Sequence, residues 1–152
     1  MTGTNETAHW IREKGHLKTS DTALELWGEK LLAELGFVAR RCEKGIPIRA
    51  AMIAAAGEWR PREASEVTKY PDRLVDVGNV TKVVLFDGWA VHHRTLTDDR
   101  ETARENSLYL AAGYQVVRVS DFWMANAERT ARLKPLLVKA LRSSDPVVDL
   151  SS

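Results

Sequence analysis

The sequence predicts an α/β sandwich in which a mixed central sheet is flanked by helices. Apolar, β-branched runs at residues 73–77, 82–87 and 114–119 have the composition of buried strands. Apolar residues at helical spacing predict a helix over 24–35. Further helices are expected over 97–112, opened by Thr97-Asp98-Asp99 and ended by Gly113, and over about 122–141. Gly78-Asn79 separates the first two of these strands and is typical of a hairpin turn. The order of elements therefore predicts two strands paired as a hairpin and helices on both faces of the sheet.

The first helix has the clearest boundaries in the amino-terminal half. Ser20 and Asp21 are N-cap candidates, and Gly36 supplies the left-handed residue that commonly ends a helix. Five apolar residues between them fall at helical spacing: Leu24, Trp27, Leu31, Leu32 and Leu35. A short strand is expected over residues 37–41.

The length of 152 residues predicts one domain, because two would each be marginally stable. We expect an amino-terminal arm over 1–19, a single domain over 20–142 with an irregular insert at 43–70, and a flexible tail over 143–152. Within the insert, residues 48–56 are apolar and fit either a buried strand or a short helix.

The composition excludes several classes of protein. Apolar residues make up 44% of the chain and charged residues 28%, the balance of a globular domain. No apolar run approaches the roughly 18 residues of a membrane span, and the first ten residues lack the layout of a secretory signal. The single cysteine, Cys42, excludes an internal disulfide framework, so a cytoplasmic location is expected. The net charge of +1 disfavours a permanent nucleic-acid coat but allows an enzyme that visits DNA.

Polar residues occur where a purely structural strand would not need them. Asp76 interrupts an apolar strand, and burial of a carboxylate is costly unless it is paired or binds a cation. Asp87 ends the neighbouring strand, so the two aspartates are expected to approach each other and to invite Mg²⁺. His92 and His93 follow, and in extended chain at most one of them faces the same cleft. Turn or capping aspartates and exposed histidines explain the same residues without any activity.

A resemblance to a known family rests on four short motifs in the same order, between about residues 20 and 122. The opening helix, Thr22-Ala-Leu-Glu25, resembles that of the very-short-patch-repair endonucleases and of related domain-of-unknown-function nucleases in the PD-(D/E)XK superfamily. The strand Arg73-Leu-Val-Asp76 is similar to their metal-binding strand. The remaining matches are Val83–Phe86 with Gly88 and His92-His93, and Arg104-Glu105-Asn106 with the segment Gly113–Val119.

The resemblance implies a restriction-endonuclease-like fold and a metal-dependent DNA endonuclease of the nicking, repair or restriction type. Asp76 would ligate Mg²⁺, with Mn²⁺ as a substitute, and Asp87 or a neighbouring carbonyl would complete the protein ligands. His92 would deprotonate the attacking water, since a neutral imidazole is a suitable base. Glu25 would orient a metal-bound water, with Glu29 one turn away as a substitute. Glu105, or Glu101, would hold the other ring nitrogen of the histidine.

DNA contacts are expected from the basic residues of the segment 37–73, which holds eight Lys and Arg against five Asp and Glu. Seven of the eight are the expected contacts: Arg40, Arg41, Lys44, Arg49, Arg60, Arg62 and Lys69. A solvated charged surface explains this count equally well. Trp59 and Trp89 fit either base stacking or a place in the core.

The sequence also departs from the family pattern. Leu85 stands where the superfamily has an acidic residue, and the usual lysine is missing. Trp89 stands where the repair enzymes have a zinc ligand, so no structural zinc is expected. These departures motivate a second hypothesis, an inactive nuclease-fold module that binds DNA or protein. A hydrolase of nucleotides is disfavoured because no glycine-rich phosphate loop is present. The sequence leaves open the target, DNA against RNA, and monomer against homodimer.

Overall fold

The computed structural model describes residues 23–48, 67–88 and 96–151. In these ranges five strands form a mixed sheet in the order β1-β4-β5-β6-β7, and β2 and β3 form a separate antiparallel pair. The strands are β1 (Ala39–Arg40), β2 (Ile46–Ile48), β3 (Val67–Lys69), β4 (Arg73–Val77), β5 (Val80–Asp87), β6 (Gln115–Ser120) and β7 (Val147–Leu150). The helices are α1 (Ala23–Glu34), α2 (Leu96–Ala111) and α3 (Ala127–Arg142), with a short 3₁₀ helix at Asp121–Met124. The predicted α/β class with a mixed sheet is confirmed.

The hairpin of β4 and β5 forms the centre of the sheet. Gly78 begins its two-residue turn with a φ of 60°, a conformation that glycine adopts at little cost. The tight turn pairs Val77 with Val80 and Arg73 with Val84. Strands β5, β6 and β7 then run parallel to one another, while β1 pairs antiparallel with β4.

Strand alternation divides the apolar residues between two cores. Val84 and Phe86 belong to the core on the face covered by α1 and α3. Val83 and Leu85 belong to the core on the face covered by α2. The sheet therefore has helices on both faces, as the sequence predicts.

Helix α1 lies close to β5 because Gly28 has no side chain. A Cβ atom built at Gly28 would lie 2.2 Å from two ring carbons of Phe86, far inside contact distance. Phe86 is buried in the core, so its ring has little room to move away. Gly28 thus sets the distance between α1 and β5, and with it the position of Glu25 one turn earlier in the helix.

The carboxyl-terminal segment differs from its prediction. Residues 143–152 were expected to be a flexible tail, but Val147–Leu150 form the edge strand β7. The indole Nε1 of Trp123 donates to the carbonyl of Leu150 at 2.8 Å, and the Ser120 hydroxyl donates to that of Ser151 at 2.6 Å. Val148 and Leu150 pack against the core, so tertiary contacts order a segment that is polar by composition.

Other boundaries lie close to their expected positions. The last helix begins later than predicted, because residues 121–124 form the 3₁₀ helix and Asn126 then caps α3 by accepting from the Arg129 amide at 2.8 Å. The insert at 43–70, expected to be irregular, contributes the paired strands β2 and β3 at its two ends. The arm at 1–19, the caps Ser20 and Asp21, and most of the segment 48–56 lie outside the described residues.

No described helix is both long enough and apolar enough to span a membrane.

We predict that Gly28→Ala lowers the free energy of unfolding by about 1–3 kcal/mol, because the added methyl group overpacks the contact with Phe86. Helix propensity alone predicts the opposite, a gain of about 1 kcal/mol. Equilibrium urea unfolding measures the difference. Lys30→Ala, at an exposed position of α1, is the control and should stay within about 0.5 kcal/mol of the parent. A stabilised Gly28→Ala variant would contradict the packing described.

A chain that ends after Asp145 should lose about 3 kcal/mol of unfolding free energy, because three half-buried apolar side chains of β7 leave the structure with it. The measurement is again urea unfolding. Ser144→Ala, an exposed site before the strand, should change the value by no more than about 0.5 kcal/mol. Equal stability of the truncated and complete chains would show that β7 contributes nothing.

Candidate active site at the carboxyl edge of the sheet

Three carboxylates from different elements meet at one edge of the sheet. Asp87 ends β5, and Asp72 directly precedes β4, whose antiparallel direction brings its start to the same edge. Glu25 comes from the first turn of α1. The carboxyl ends of the parallel strands β5 and β6 also lie here, the edge at which open α/β sheets commonly bind ligands.

Asp72 has the most perturbed carboxyl group of the three. Its Oδ2 accepts a hydrogen bond from the Phe86 amide at 2.8 Å. Burial raises the pKa of Asp72 to about 7, and the amide opposes this rise only in part. The charges of Glu25 and Asp87, together with a hydrogen bond to the Glu25 carboxyl, raise it further. The site therefore holds a carboxyl group that changes charge near neutral pH.

Arg73 forms ion pairs with the acidic residues Glu25 and Glu29 of α1. The Arg73 side chain is 1% exposed, and its Nε and Nη2 donate to Oε2 of Glu29 at 2.8 and 2.6 Å. Nη1 lies 3.7 Å from Oε1 of Glu25 and donates to the carbonyl of Asp72 at 2.6 Å. One buried guanidinium thus connects the helix carboxylates to the strand that carries Asp72.

Arg118 likewise pairs with carboxylates, on the face of the sheet covered by α2. Its Nη1 lies 3.0 Å from both carboxylate oxygens of Asp87. Its Nη2 donates to Oε1 of Glu105 at 2.7 Å, and its Nε donates to Oδ1 of Asn106 at 2.6 Å. The motif Arg104-Glu105-Asn106 is therefore joined to the strand motif around Arg118 by direct contacts.

Glu105 lies between two cations. Its second oxygen, Oε2, accepts from Nζ of Lys69 at 2.7 Å. Burial alone would raise the pKa of Glu105, but Lys69 and Arg118 outweigh it and hold the pKa below its usual range. The small sheet of β2 and β3 thus brings Lys69 to the network around Asp87.

Asp76 does not lie at this edge, so the expectation that it approaches Asp87 is wrong. The hairpin register pairs Asp76 with Thr81, six residues before Asp87, which is about 20 Å at the rise of an extended strand. The exposed Asp76 carboxylate instead accepts from Arg40 at 3.2 Å and from the Thr81 hydroxyl at 2.7 Å. Arg40, followed by Thr81, lowers the pKa of Asp76. The residue thus forms a surface ion pair between strands.

The other predicted site residues divide into three groups. Glu25, Glu29, Lys69, Asp87 and Glu105 all belong to the network at the sheet edge. Arg40, Arg41 and Lys44 are exposed at β1 and the turn after it, with Arg40 paired to Asp76. Those outside the described residues, where their roles stay predictions, are Arg49, Trp59, Arg60, Arg62, Trp89, His92 and His93. The side chain of Glu101 likewise lies outside the part of the chain that the structure describes.

Asp72 was not predicted as a site residue, although the sequence holds a signal for it. In a hairpin with a two-residue turn, paired residue numbers have a constant sum, here 157 from Val77 and Val80. That sum places Asp72 opposite Leu85, beside Asp87, and places Asp76 near the turn.

The donor chemistry of the edge suits a hard divalent cation, because carboxylate oxygens are the ligands that Mg²⁺ and Mn²⁺ prefer. Among the described residues, no group of three or more His, Cys, Asp or Glu side chains is arranged to hold a metal ion. Magnesium sites commonly use only one or two carboxylates and complete the shell with water and substrate oxygens. Asp72 and Asp87 supply two carboxylates at this edge, and the charge of Asp87 contributes to the raised pKa of Asp72.

A groove of about 580 Å³ lies at the opposite end of the sheet, where the β4–β5 turn meets the start of β6. Its described lining includes Asn79, Thr81, Tyr114 and Gln115, and none of the carboxylates described above. The groove and the acidic edge are therefore separate features.

No protein-family model, curated protein or solved structure matches this chain. The likeness to very-short-patch-repair endonucleases thus rests on the quoted motifs.

We predict that Asp72 makes the protein less stable as the pH rises from about 4 to 7. Its folded-state pKa of about 7 exceeds the ordinary 3.8, so the folded state keeps the proton that the unfolded state releases. Relative to the parent, Asp72→Asn should therefore gain about 2 kcal/mol of unfolding free energy between pH 5 and pH 7. Urea unfolding at both pH values measures this gain.

Asp76→Asn is the matched control for this measurement. The pKa of Asp76 is lowered, so the stability that it contributes is lost only below pH 4, as the pH falls. Its difference from the parent should be the same at pH 5 and pH 7. A pH-independent effect of Asp72→Asn would contradict the raised pKa.

Proposed function

We propose that this chain is a metal-dependent endonuclease that hydrolyses DNA phosphodiester bonds at the edge formed by Glu25, Asp72 and Asp87. The observation that carries the proposal is the convergence of these three carboxylates from three elements, with the pKa of Asp72 raised to about 7. Like charges held together in a buried place lower stability, and such costs are common at functional sites. A bound cation would offset the repulsion.

The residues present fit Mg²⁺ or Mn²⁺ as the resident ion. Asp72 and Asp87 would hold it, and Glu25, whose carboxyl contributes to the raised pKa of Asp72, would orient a water molecule. When bound, the ion would polarise the scissile phosphate and stabilise the leaving oxygen. No structural zinc forms part of the proposal.

The chain's own residues supply positioning and proton transfer. Arg73 keeps Glu25 and Glu29 on the side of α1 that faces the sheet edge. Arg118 orients Asp87 and ties it to α2. His92 follows Asp87 by five residues in the sequence and would take the proton of the attacking water. Because Lys69 and Arg118 occupy both oxygens of Glu105, that residue supports Asp87 in preference to the histidine.

DNA is the proposed partner. Arg41 and Lys44 are exposed beside β1, and Arg60, Arg62 and Trp89 complete the predicted contact set. Arg40 would join them at the cost of its pair with Asp76, a small cost for an exposed ion pair. The cytoplasmic location belongs to this proposal, which holds for either a monomer or a homodimer.

A second candidate is an inactive nuclease-fold module that binds DNA or protein. The contact between Arg118 and both oxygens of Asp87 favours it, because that carboxylate is already neutralised by the chain itself. The sequence also favours it, because Leu85 stands where the PD-(D/E)XK superfamily has an acidic residue in the strand. The two candidates differ in one property, metal-dependent cleavage.

Plasmid cleavage at pH 8 with Mg²⁺ or Mn²⁺ distinguishes the two. We expect the parent protein to nick or linearise the plasmid. Asp72→Asn, Asp87→Asn and His92→Ala should each lose at least about a hundredfold in rate. Asp76→Asn is the matched control, because it makes the same chemical change four residues further along the chain, in β4. It should cleave within about threefold of the parent.

Two results would contradict the proposal. Absence of cleavage, with DNA binding retained in the parent and all four variants, would favour the inactive module. Cleavage lost in Asp76→Asn and kept in Asp72→Asn would return the metal to the position expected from the sequence.

A further inference from the structure

We propose that the solvent-exposed side of α3 binds the phosphate backbone of double-stranded DNA through Arg132, Lys139 and Arg142. We call these three residues the basic face of α3. The choice of DNA as the polyanion rests on the proposed function. The inference goes further by assigning a contact surface outside the residues predicted from the sequence, and it requires neither a bound metal ion nor cleavage.

Positive charge is concentrated on α3. Its sequence holds five Lys and Arg against one Glu. The whole chain has a net charge of only +1, so the rest of the chain is net negative. Helix α1, which covers the same face of the sheet, holds three Glu against one Lys. The excess of cations is therefore a local property of α3, and local excess is what attracts a polyanion.

Two of the five cations are already engaged within the protein. The guanidinium of Arg129 lies 4.0 Å from the centre of the Phe122 ring, and its Nη1 donates to the Phe122 carbonyl at 3.3 Å. Nζ of Lys134 lies 3.7 Å from Oε2 of Glu34. The three side chains of the basic face are exposed, and within the described ranges of the chain they form no ion pair or hydrogen bond. These three cations are available to a partner.

The basic face follows one side of the helix. Arg132 and Lys139 are seven residues apart, which is two turns, and Arg142 follows three residues later on the adjacent row. The three positions span about 15 Å along the helix axis. One strand of duplex DNA carries a phosphate about every 3.4 Å of its axis, so about four phosphates fall within that span. The face is long enough to contact successive phosphates.

Helix α3 leads away from the acidic edge of the sheet. It begins shortly after the 3₁₀ helix that follows β6, whose carboxyl end lies at that edge. It ends near the start of β6, because the Ser143 carbonyl accepts from Nζ of Lys82, and Lys82 pairs with Gln115. DNA bound along the basic face would therefore extend toward the edge at which cleavage is proposed.

The packing of α3 favours DNA over a membrane or a protein partner. Leu133, Leu137 and Leu141 are fully buried in the core, so the apolar side of the helix is not available to enter a bilayer. Of the residues of α3, all of which are described, Leu136 is the large apolar side chain that is exposed. Protein interfaces depend on clustered apolar or aromatic anchors, whereas phosphate contacts require only cations.

A structural role explains part of the basic face. Lys139 and Arg142 lie in the last turn, where cations interact favourably with the helix dipole. Arg132 lies near the middle of the helix, beyond the reach of that effect. Stabilisation of the helix end would also leave DNA binding unchanged, so a binding measurement separates the two roles.

Fluorescence anisotropy of a labelled DNA duplex of about 30 base pairs tests the inference. Titrations at pH 8 in EDTA exclude divalent cations, so binding is measured without cleavage. The readouts are the dissociation constant and the slope of log K against log salt between about 50 and 200 mM. Arg132→Gln with Lys139→Gln should weaken binding at least about tenfold and reduce the slope by about 1.8. Addition of Arg142→Gln should reduce the slope by about 0.9 more.

Two controls accompany these variants. Lys30→Gln with Arg100→Gln makes the same change in net charge at exposed positions of α1 and α2. Its slope should change by less than about 0.5, because no phosphate contact is lost. Arg132→Lys with Arg142→Lys keeps the charges and should bind within about threefold of the parent. Thermal unfolding establishes that each variant is folded.

The outcomes separate this inference from the proposed function. Equal effects of the α3 variant and its charge-matched control would overturn the inference. Binding that is lost in Arg41→Gln with Lys44→Gln, and kept in the α3 variant, would overturn it while leaving DNA as the partner. Sedimentation with phosphatidylserine vesicles that needs the basic face, beside DNA binding that does not, would assign the face to a membrane. A parent protein that does not bind DNA would overturn both proposals. Binding that depends on α3, without plasmid cleavage, would support the inference and contradict the nuclease activity.

Discussion

The register of the β4–β5 hairpin is the constraint on which the candidate site depends. A two-residue turn at Gly78 pairs Arg73 with Val84, so Asp72 falls beside the end of β5 and Asp76 falls near the turn. The Phe86 amide then donates to Asp72, and the same strand presents Asp87 one residue later. A shift of the register by one residue would also exchange the two faces of β4, so core packing enforces the arrangement.

Two buried arginines make this acidic edge compatible with folding. Arg73 pairs with the carboxylates of α1 on one face, and Arg118 pairs with Asp87 and Glu105 on the other. Removal of Arg118 would take a buried cation from the buried Asp87, and removal of Arg73 would take one from Glu25 and Glu29, so both changes are expected to lower stability. Asp72, between the networks, keeps a pKa of about 7. The edge therefore combines two networks of ion pairs with one carboxyl group, that of Asp72, whose charge changes near neutral pH.

Much of the fold could be predicted from local patterns. Helical spacing and Gly36 locate α1, because that helix buries one face. Strand β4 has the predicted bounds, because its apolar run is buried on both faces of the sheet. That residues 147–150 form a strand could not be predicted locally, since Val148 and Leu150 contact their partners only when β6 and Trp123 are in place.

The site was harder to predict than the fold. An aspartate within an apolar strand drew attention to Asp76, yet its partner Arg40 is brought near only by the pairing of β1 with β4. Asp72 has no distinctive neighbours in sequence, and the groups that act on it, Glu25, Phe86 and Asp87, come from two other elements. The partners of Arg73 and Arg118 lie 44 and 31 residues away, a separation that no local pattern records.

The most direct test of the account is the location of a bound cation. Crystals of the parent protein soaked with Mn²⁺ would give an anomalous diffraction signal that marks the ion. The account predicts one peak at the sheet edge, about 2.1 Å from oxygens of Asp72 and Asp87. A peak beside Asp76, or no peak under conditions in which the protein cleaves DNA, would contradict it.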